Sequence, residues 1–311
     1  MKIESICGLR FLIYLPPSQS ADGNKTLKNM KKLLNFSLLA ILAASFVLTG
    51  CKKDDDSNPG GETTKQDGIL PKKVVKIVKN YVGLEEYYGD TYLFDAEGRI
   101  TSHTEKDGKY SDIDTYTYTA DKCVWVDDSG EDIYTYNIVN GRFVSFSSNS
   151  GDKGEYTYTS DGYIKSLKWD DTEGEHTSTE NIEYTVTDGN ITSYIDIYHS
   201  VDKSDNEEYI SDRNKTLTYG SKLNNLNVDI VPIICDLDLY PGCCGKRCKN
   251  LPTSISSIHK SKREDGQESN RTELDEYTYT YDGDYLTKIT HKQTDSREGV
   301  SEYTYEIYYE D

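Results

Sequence analysis

Several features of a chain of 311 residues are missing here. No apolar run approaches the ~20 residues that a helix needs to span a bilayer; Leu33 to Val47, "LLNFSLLAILAASFV", is the longest at 15 residues. No serine stands in G-x-S-x-G, no H-E-x-x-H occurs, and no glycine-rich phosphate loop follows a strand. The five histidines, His103, His176, His199, His259 and His291, are scattered over polar or turn-like positions, where solvated side chains are expected. Neither "DLDLY" at Asp236 nor "YDGDY" at Tyr281 fits the twelve-residue calcium loop of an EF-hand. No catalytic residue, metal or cofactor is therefore assigned, and the expectation is a non-enzymatic protein. Basic charge is also short: 35 Lys and Arg against 54 Asp and Glu give a net charge of −19. Nucleic acid requires cationic patches, so no nucleic-acid partner is expected. With so many carboxylates, a glycosidase-like pair carries no information.

What is present begins with the leader. Met30-Lys31-Lys32, the apolar run and the small residues after it form the charged, apolar and cleavage regions of a secretory signal. Its last four residues, Leu48-Thr49-Gly50-Cys51, look like a bacterial lipobox, which implies cleavage between Gly50 and Cys51 and acylation of Cys51. Two or more acyl chains anchor stably where one binds only marginally. Met30 suffices as the start, so residues 1–29 are expected to be a start-site misassignment and 30–50 the lipoprotein signal peptide. Loss of residues 1–50, with Lys2, Arg10, Lys25, Lys28, Lys31 and Lys32 against Glu4 and Asp22, takes the net charge to −23. Residues 51–68 have no apolar residue after the cysteine and read as an acidic flexible tether. Within it Asp54, Asp55 and Asp56 resemble the export signal of Bacteroidetes surface lipoproteins. The implied location is the outer membrane, lipid-anchored and facing the exterior.

From residue 69 to 311 one phrase recurs. It appears as "YLFDAEGRITSH" from Tyr92, "YTYTADKCVWV" from Tyr116, "YTYNIVNGRFVSF" from Tyr134, "YTYTSDGYIKSL" from Tyr156, "IEYTVTDGNITSY" from Ile182, "YTYTYDGDYLTKI" from Tyr277 and "YTYEIYYED" from Tyr303. Strict alternation puts Tyr277, Tyr279 and Tyr281 on one face of a strand and Thr278, Thr280 and Asp282 on the other. Asn140-Gly141, Asp161-Gly162, Asp188-Gly189 and Asp282-Gly283 then supply the positive φ angles of tight hairpin turns. On the returning arms apolar residues stand three apart, as Ile164 with Leu167 and Leu286 with Ile289, which predicts a β-bulge or partial burial of both faces. The reading is all-β: an antiparallel meander of a dozen or more strands, curled into an open or closed barrel-like sheet with the tyrosine face inside. Residues 224–252 break the rhythm. Leu226, Ile230, Ile233, Ile234 and Leu237 at intervals of three to four suit a short helical or irregular insertion, split by Pro232, that plugs an end or a concave side of the sheet.

Five cysteines remain beyond Cys51. Cys235, Cys243, Cys244 and Cys248 are candidates for disulfides, with unpaired thiols as the alternative; adjacent cysteines do not match zinc spacing. The phrases "LPKKVVKI", "YLFDAEGRI", "LTYGSKLNNLNVDI" and "KNLPTSI" resemble a family of Bacteroidetes lipoproteins, the domain of unknown function 4595, which implies a porin-like sheet and assigns no chemistry. Phe94 to Ile100 is also distantly similar to tyrosine-aspartate (YD) repeats. The 27 tyrosines suit a binding surface for an extracellular glycan or surface protein, or simply a sheet core. A structural or adhesive envelope component is the competing class. Mass spectrometry of the exported protein is expected to find a lipidated N-terminus at Cys51, and Cys51→Ser is expected to accumulate as uncleaved precursor. A peptide from residues 2–29 in that precursor would place the start at Met1.

Overall fold

The computed structural model describes residues 72–311 other than 84–87, 174, 205–206, 238–241 and 264–265, together with residues 5–6 and 9–10. The chain divides into two units, Met1–Leu70 and Pro71–Asp311. In the first, β1 (Ser5–Ile6) pairs antiparallel with β2 (Leu9–Arg10). Gly50, Cys51, Asp54, Asp55 and Asp56 lie outside the described residues.

The second unit is a single antiparallel sheet. Its strands are β3 (Val74–Tyr81), β4 (Tyr88–Phe94), β5 (Ile100–Asp107), β6 (Tyr110–Tyr118), β7 (Lys122–Val126), β8 (Ile133–Val139), β9 (Arg142–Ser148) and β10 (Lys153–Tyr158), followed by β11 (Ile164–Glu173), β12 (His176–Thr187), β13 (Asn190–Asp202), β14 (Glu207–Leu223), β15 (Asn250–Arg263), β16 (Glu268–Asp282), β17 (Tyr285–Asp295) and β18 (Gly299–Tyr309). Each pairs with the next, and β18 returns to β3 with Ile307 opposite Ile77, so the meander closes into a barrel.

Side-chain alternation explains which face went inside. Tyr116, Tyr134, Tyr136, Tyr156, Tyr184, Tyr194, Tyr277 and Tyr305 are buried, as are Ile77, Ile182, Ile255 and Ile289. Rings contact across neighbouring strands, with Trp125–Tyr134 centroids 5.2 Å apart and Tyr136–Phe143 4.8 Å apart. On β12 the outward positions Thr177, Thr179, Asn181, Glu183 and Thr185 are polar, as are Lys288, Thr290, Lys292 and Thr294 on β17. Elsewhere the outer face also exposes Leu93, Ile195, Ile197, Ile210, Ile258 and Leu274.

The bulges fall where the apolar spacing placed them. Tyr158 faces Ile164 while Thr157 faces Ser166, leaving Lys165 unopposed, so Ile164 and Leu167 both turn inward. The same register shift occurs at Leu93/Phe94, Asn137/Ile138, Thr185/Val186 and Thr280/Tyr281. At the turns, Asn140 with Gly141 and Asp188 with Gly189 take positive φ at both positions. At Asp161-Gly162 and Asp282-Gly283 only the glycine does, because those turns are built differently from the two-residue mirror-image type.

The described residues of 224–249, which are 224–237 and 242–249, form the plug, seated against one end of the barrel. In an up-and-down barrel alternate hairpins share an end, and the plug bonds to a set of them. Phe143 N–H donates to the Cys243 carbonyl, Lys246 N–H to Gly162 and Lys249 N–H to Gly189. Val74 N–H, at the start of β3, donates to Asn227 Oδ1 at 2.7 Å. Leu226, Ile230, Ile234 and Leu237 are buried as the spacing implied. Pro232 does not split the helix: α1 (Val231–Cys235) is a single turn with the proline in its first positions, where no intrahelical N–H is needed.

Gly154 on β10 faces Phe146 on β9, whose ring lies over it where a Cβ would stand. Gly154→Val is expected to destabilise the barrel by ~1–3 kcal/mol through overpacking, read as a lowered denaturant midpoint with unchanged slope.

Candidate functional site

The plug also provides a floor within the lumen. Lys215, inward on β14, donates Nζ to the carbonyls of Cys235 at 3.0 Å and Asp236 at 2.6 Å, and Tyr277 Oη donates to Ile234 at 2.8 Å. Asp236 ends α1 in the left-handed conformation, φ 47°. Its backbone is pinned from the wall, yet its side chain is 87% exposed.

Two connected clusters line that space. Asp90 on β4 sits 3.3 Å from Lys79 Nζ and 3.2 Å from His103 Nε2, while His103 Nδ1 lies 3.6 Å from Asp114 on β6. The His103 ring stacks on Tyr92 at 4.6 Å. Lys79 also stands over the rings of Tyr81 and Tyr303, at 5.4 and 5.3 Å, and these rings meet edge to face at 4.8 Å. Tyr303 leads into the second cluster. It stacks on His291 at 5.0 Å and donates its hydroxyl to Gln293 Oε1 at 3.2 Å. His291 Nε2 is 2.7 Å from Asp275 Oδ1, and Gln293 donates to the same oxygen at 3.3 Å. Tyr277 covers the other face of the His291 ring at 4.7 Å.

Electrostatics follow from this enclosure. Burial pushes His103 down, but hydrogen bonds to Asp114 and Asp90 and their charges reverse the balance and set its pKa at about 8. Burial also opposes the Lys79 charge, but Tyr305 and Asp90 hold it well above the ordinary value. Glu273, beside Asp275 on β16, is raised by burial and by that neighbour, against Lys215 and Arg271. The wall therefore offers aromatic faces, ionised carboxylates, an ammonium and an amide side by side.

The solvated environment expected for the histidines is corrected at two positions. His291 is buried, and His103 is enclosed between two carboxylates. Parity is the reason: both fall on the inward set of their strands, as counting in twos from Ile289 would have shown for His291. His199 keeps an exposed position beside Glu208. The disulfides expected among Cys235, Cys243, Cys244 and Cys248 are not formed; these and Cys123 are buried thiols. Burial raises Cys243 and Cys248 to about 12, far from nucleophilic poise. Cys248 Sγ instead accepts from Ile191 N–H at 3.5 Å, and the cysteines serve as plug packing.

No protein-family model and no curated protein matches the sequence. Among solved structures, a porin-like protein from Bacteroides vulgatus ATCC 8482 is similar, with 12% identity over 77% of this chain and 99% of that one and a TM-score of 0.35. So loose a likeness carries no weight beyond agreement with a porin-like β-domain, and neither the family 4595 nor the YD repeats gain support from it.

The raised pKa of His103 has a sign that can be checked. Its contribution to stability is complete below the unfolded value of ~6.5 and is lost as pH rises through about 8, an effect of at most ~2 kcal/mol. NMR titration of the ring is expected to give a midpoint near 8 that falls in Asp90→Asn. A midpoint unmoved by that substitution would remove Asp90 from the account.

Proposed function

We propose that the protein is a lipid-anchored outer-membrane protein, facing the exterior, whose barrel lumen binds an extracellular saccharide without turning it over. The observation that carries this reading is the stretch of inner wall lined by rings and carboxylates, with the exposed Asp236 side chain at its floor. Aromatic faces stack on the apolar faces of sugars, while carboxylates, amides and amines take up hydroxyls in orientation-dependent hydrogen bonds. Tyr81, Tyr92 and Tyr303 with Asp90, Lys79 and Gln293 supply both kinds of contact within one stretch of wall. Anchoring rests on the lipobox ending at Cys51, and outward export on Asp54, Asp55 and Asp56.

A structural envelope role draws on a different observation: many tyrosines are core, with Tyr136, Tyr194 and Tyr305 almost wholly buried. Tyr81 and Tyr303 differ from those rings in being only half-buried.

Against a saccharide array, the full chain in detergent is expected to bind, and Tyr81→Ala and Tyr303→Ala together to weaken binding at least tenfold, about 1.4 kcal/mol. A blank array for the wild-type protein defeats the saccharide reading. Separately, protease treatment of intact cells should strip the protein, and replacing Asp54, Asp55 and Asp56 by alanine should protect it.

A further inference from the structure

Tyr81 and Tyr303 belong to a row of side chains that continues past them to the rim. His291 on β17 lies directly opposite Tyr303 on β18, and Tyr303 opposite Tyr81 on β3. Asn80 faces Gly89, so one position further on Tyr81 comes beside Tyr88 of β4. Tyr88 in turn faces Asp107 on β5, and Asp107 faces Tyr110 on β6. Opposed residues share a face of the sheet, and Tyr88 stands two positions from the buried Asp90, so the whole row is on the inward side. Its outer end is the rim away from the plug. The turn between β4 and β5 meets the plug, where a Cβ on Gly98 would run into the Asn227 carbonyl. The next turn, at Gly108 between β5 and β6, is at the opposite end of the same strand.

Exposure climbs along this row. His291 is buried, Tyr303 and Tyr81 are half-buried, Tyr88 is 39% exposed and Tyr110 is 80% exposed. A tyrosine kept for packing is enclosed, as Tyr136 and Tyr305 are; one held at the rim with most of its ring in water forgoes the burial that makes a ring stabilising. One row deeper, Tyr305, Lys79, Asp90, Glu105 and Asp112 face one another in turn across the same strands. A shelf of rings therefore runs beside a shelf of hydrogen-bonding groups. Counting Asp107 from the upper row, the stretch sets four carboxylates against the single ammonium of Lys79.

We propose that the two rows form one track for a glycan chain, neutral or amine-bearing, that lies across β18 to β6 and leaves the barrel over the rim at Tyr110. The proposal rests on the saccharide reading and adds to it the length, direction and charge of the ligand. Neighbouring strands stand ~4.8 Å apart, so the four spacings from Tyr303 to Tyr110 cover ~19 Å, several sugar rings rather than one. Tyr303 and Tyr81 take the inner ring, Tyr88 and Tyr110 the rings beyond it, and the deeper row bonds hydroxyls along one edge of the chain. A uronate or sulfated chain would bring its own charges against the four carboxylates, whereas an amine is attracted by them.

The test sets the full chain in detergent against neutral, amine-bearing and uronate-bearing glycans, each as the single sugar and as a long oligomer. A neutral or amine-bearing oligomer is expected to bind at least tenfold more tightly than its single sugar, and Tyr88→Ala with Tyr110→Ala to weaken the oligomer at least tenfold. Nitration of tyrosines, read by mass spectrometry, gives a second readout that needs no variant to fold. The bound oligomer should protect Tyr110, while Tyr308, 40% exposed on the outward parity of β18, stays reactive. Equal affinity for oligomer and single sugar, a Tyr110 that nitrates as fast with oligomer as without, or a preference for the uronate chain overturns the track and leaves the saccharide reading standing. If no glycan of any kind or length is bound, the saccharide reading falls and the track falls with it.

Discussion

A closed sheet of this many strands encloses more space than its own inward side chains can fill, and the way that space is divided governs the rest of the molecule. The plug at 224–249 takes up one end. It can do so because the wall supplies hydrogen-bond donors for plug carbonyls and hydrophobic faces for Ile230, Val231 and Ile234. A buried loop would otherwise strand its backbone polar groups, at a cost comparable to a lost hydrogen bond for each. Lys215 is the clearest instance, a buried ammonium whose position is set by two carbonyls at the end of a single helical turn. Beyond the plug, charged residues stand on the inward face paired with one another.

Much of this was legible in the sequence. Alternation of tyrosine with threonine named the faces, and the three-residue spacing of apolar side chains on the returning arms located bulges at Lys165 and its counterparts. These signals are local, and each hairpin carries its own. Closure was not legible, because the pairing of β18 with β3 joins residues more than 200 apart and depends on the sum of many small twists rather than on any motif. The plug's interior spacing was visible, but its contacts were not: Asn227 reaches Val74 across 153 positions.

The lumen clusters were missed for a related reason. A histidine between serine and threonine, as His103 is, looks solvated when only its sequence neighbours are considered. Its actual neighbours, Tyr92 and Asp114, are the residues opposite it on the adjacent strands. Alternation fixes the face but not the partner, and the partner decides whether a titratable group is charged. The cysteines show the opposite error. Their clustering suggested covalent linkage, whereas the plug spreads them among separate hairpins and uses them as small apolar groups.

The inward charged residues also bear on why the lumen is not simply a larger hydrophobic core. Filling it would require long apolar side chains at Lys79, Asp90, His103 and Asp275, and the tyrosine alternation already provides a place for them. Instead these positions are paired with neighbours, as Lys79 is with Asp90 and Arg271 with Asp295. Buried pairs of this kind are poor sources of stability, since desolvation offsets most of the attraction. Stability here is supplied by the aromatic sheet and the plug, and what the paired residues contribute is the shape and polarity of the inner wall.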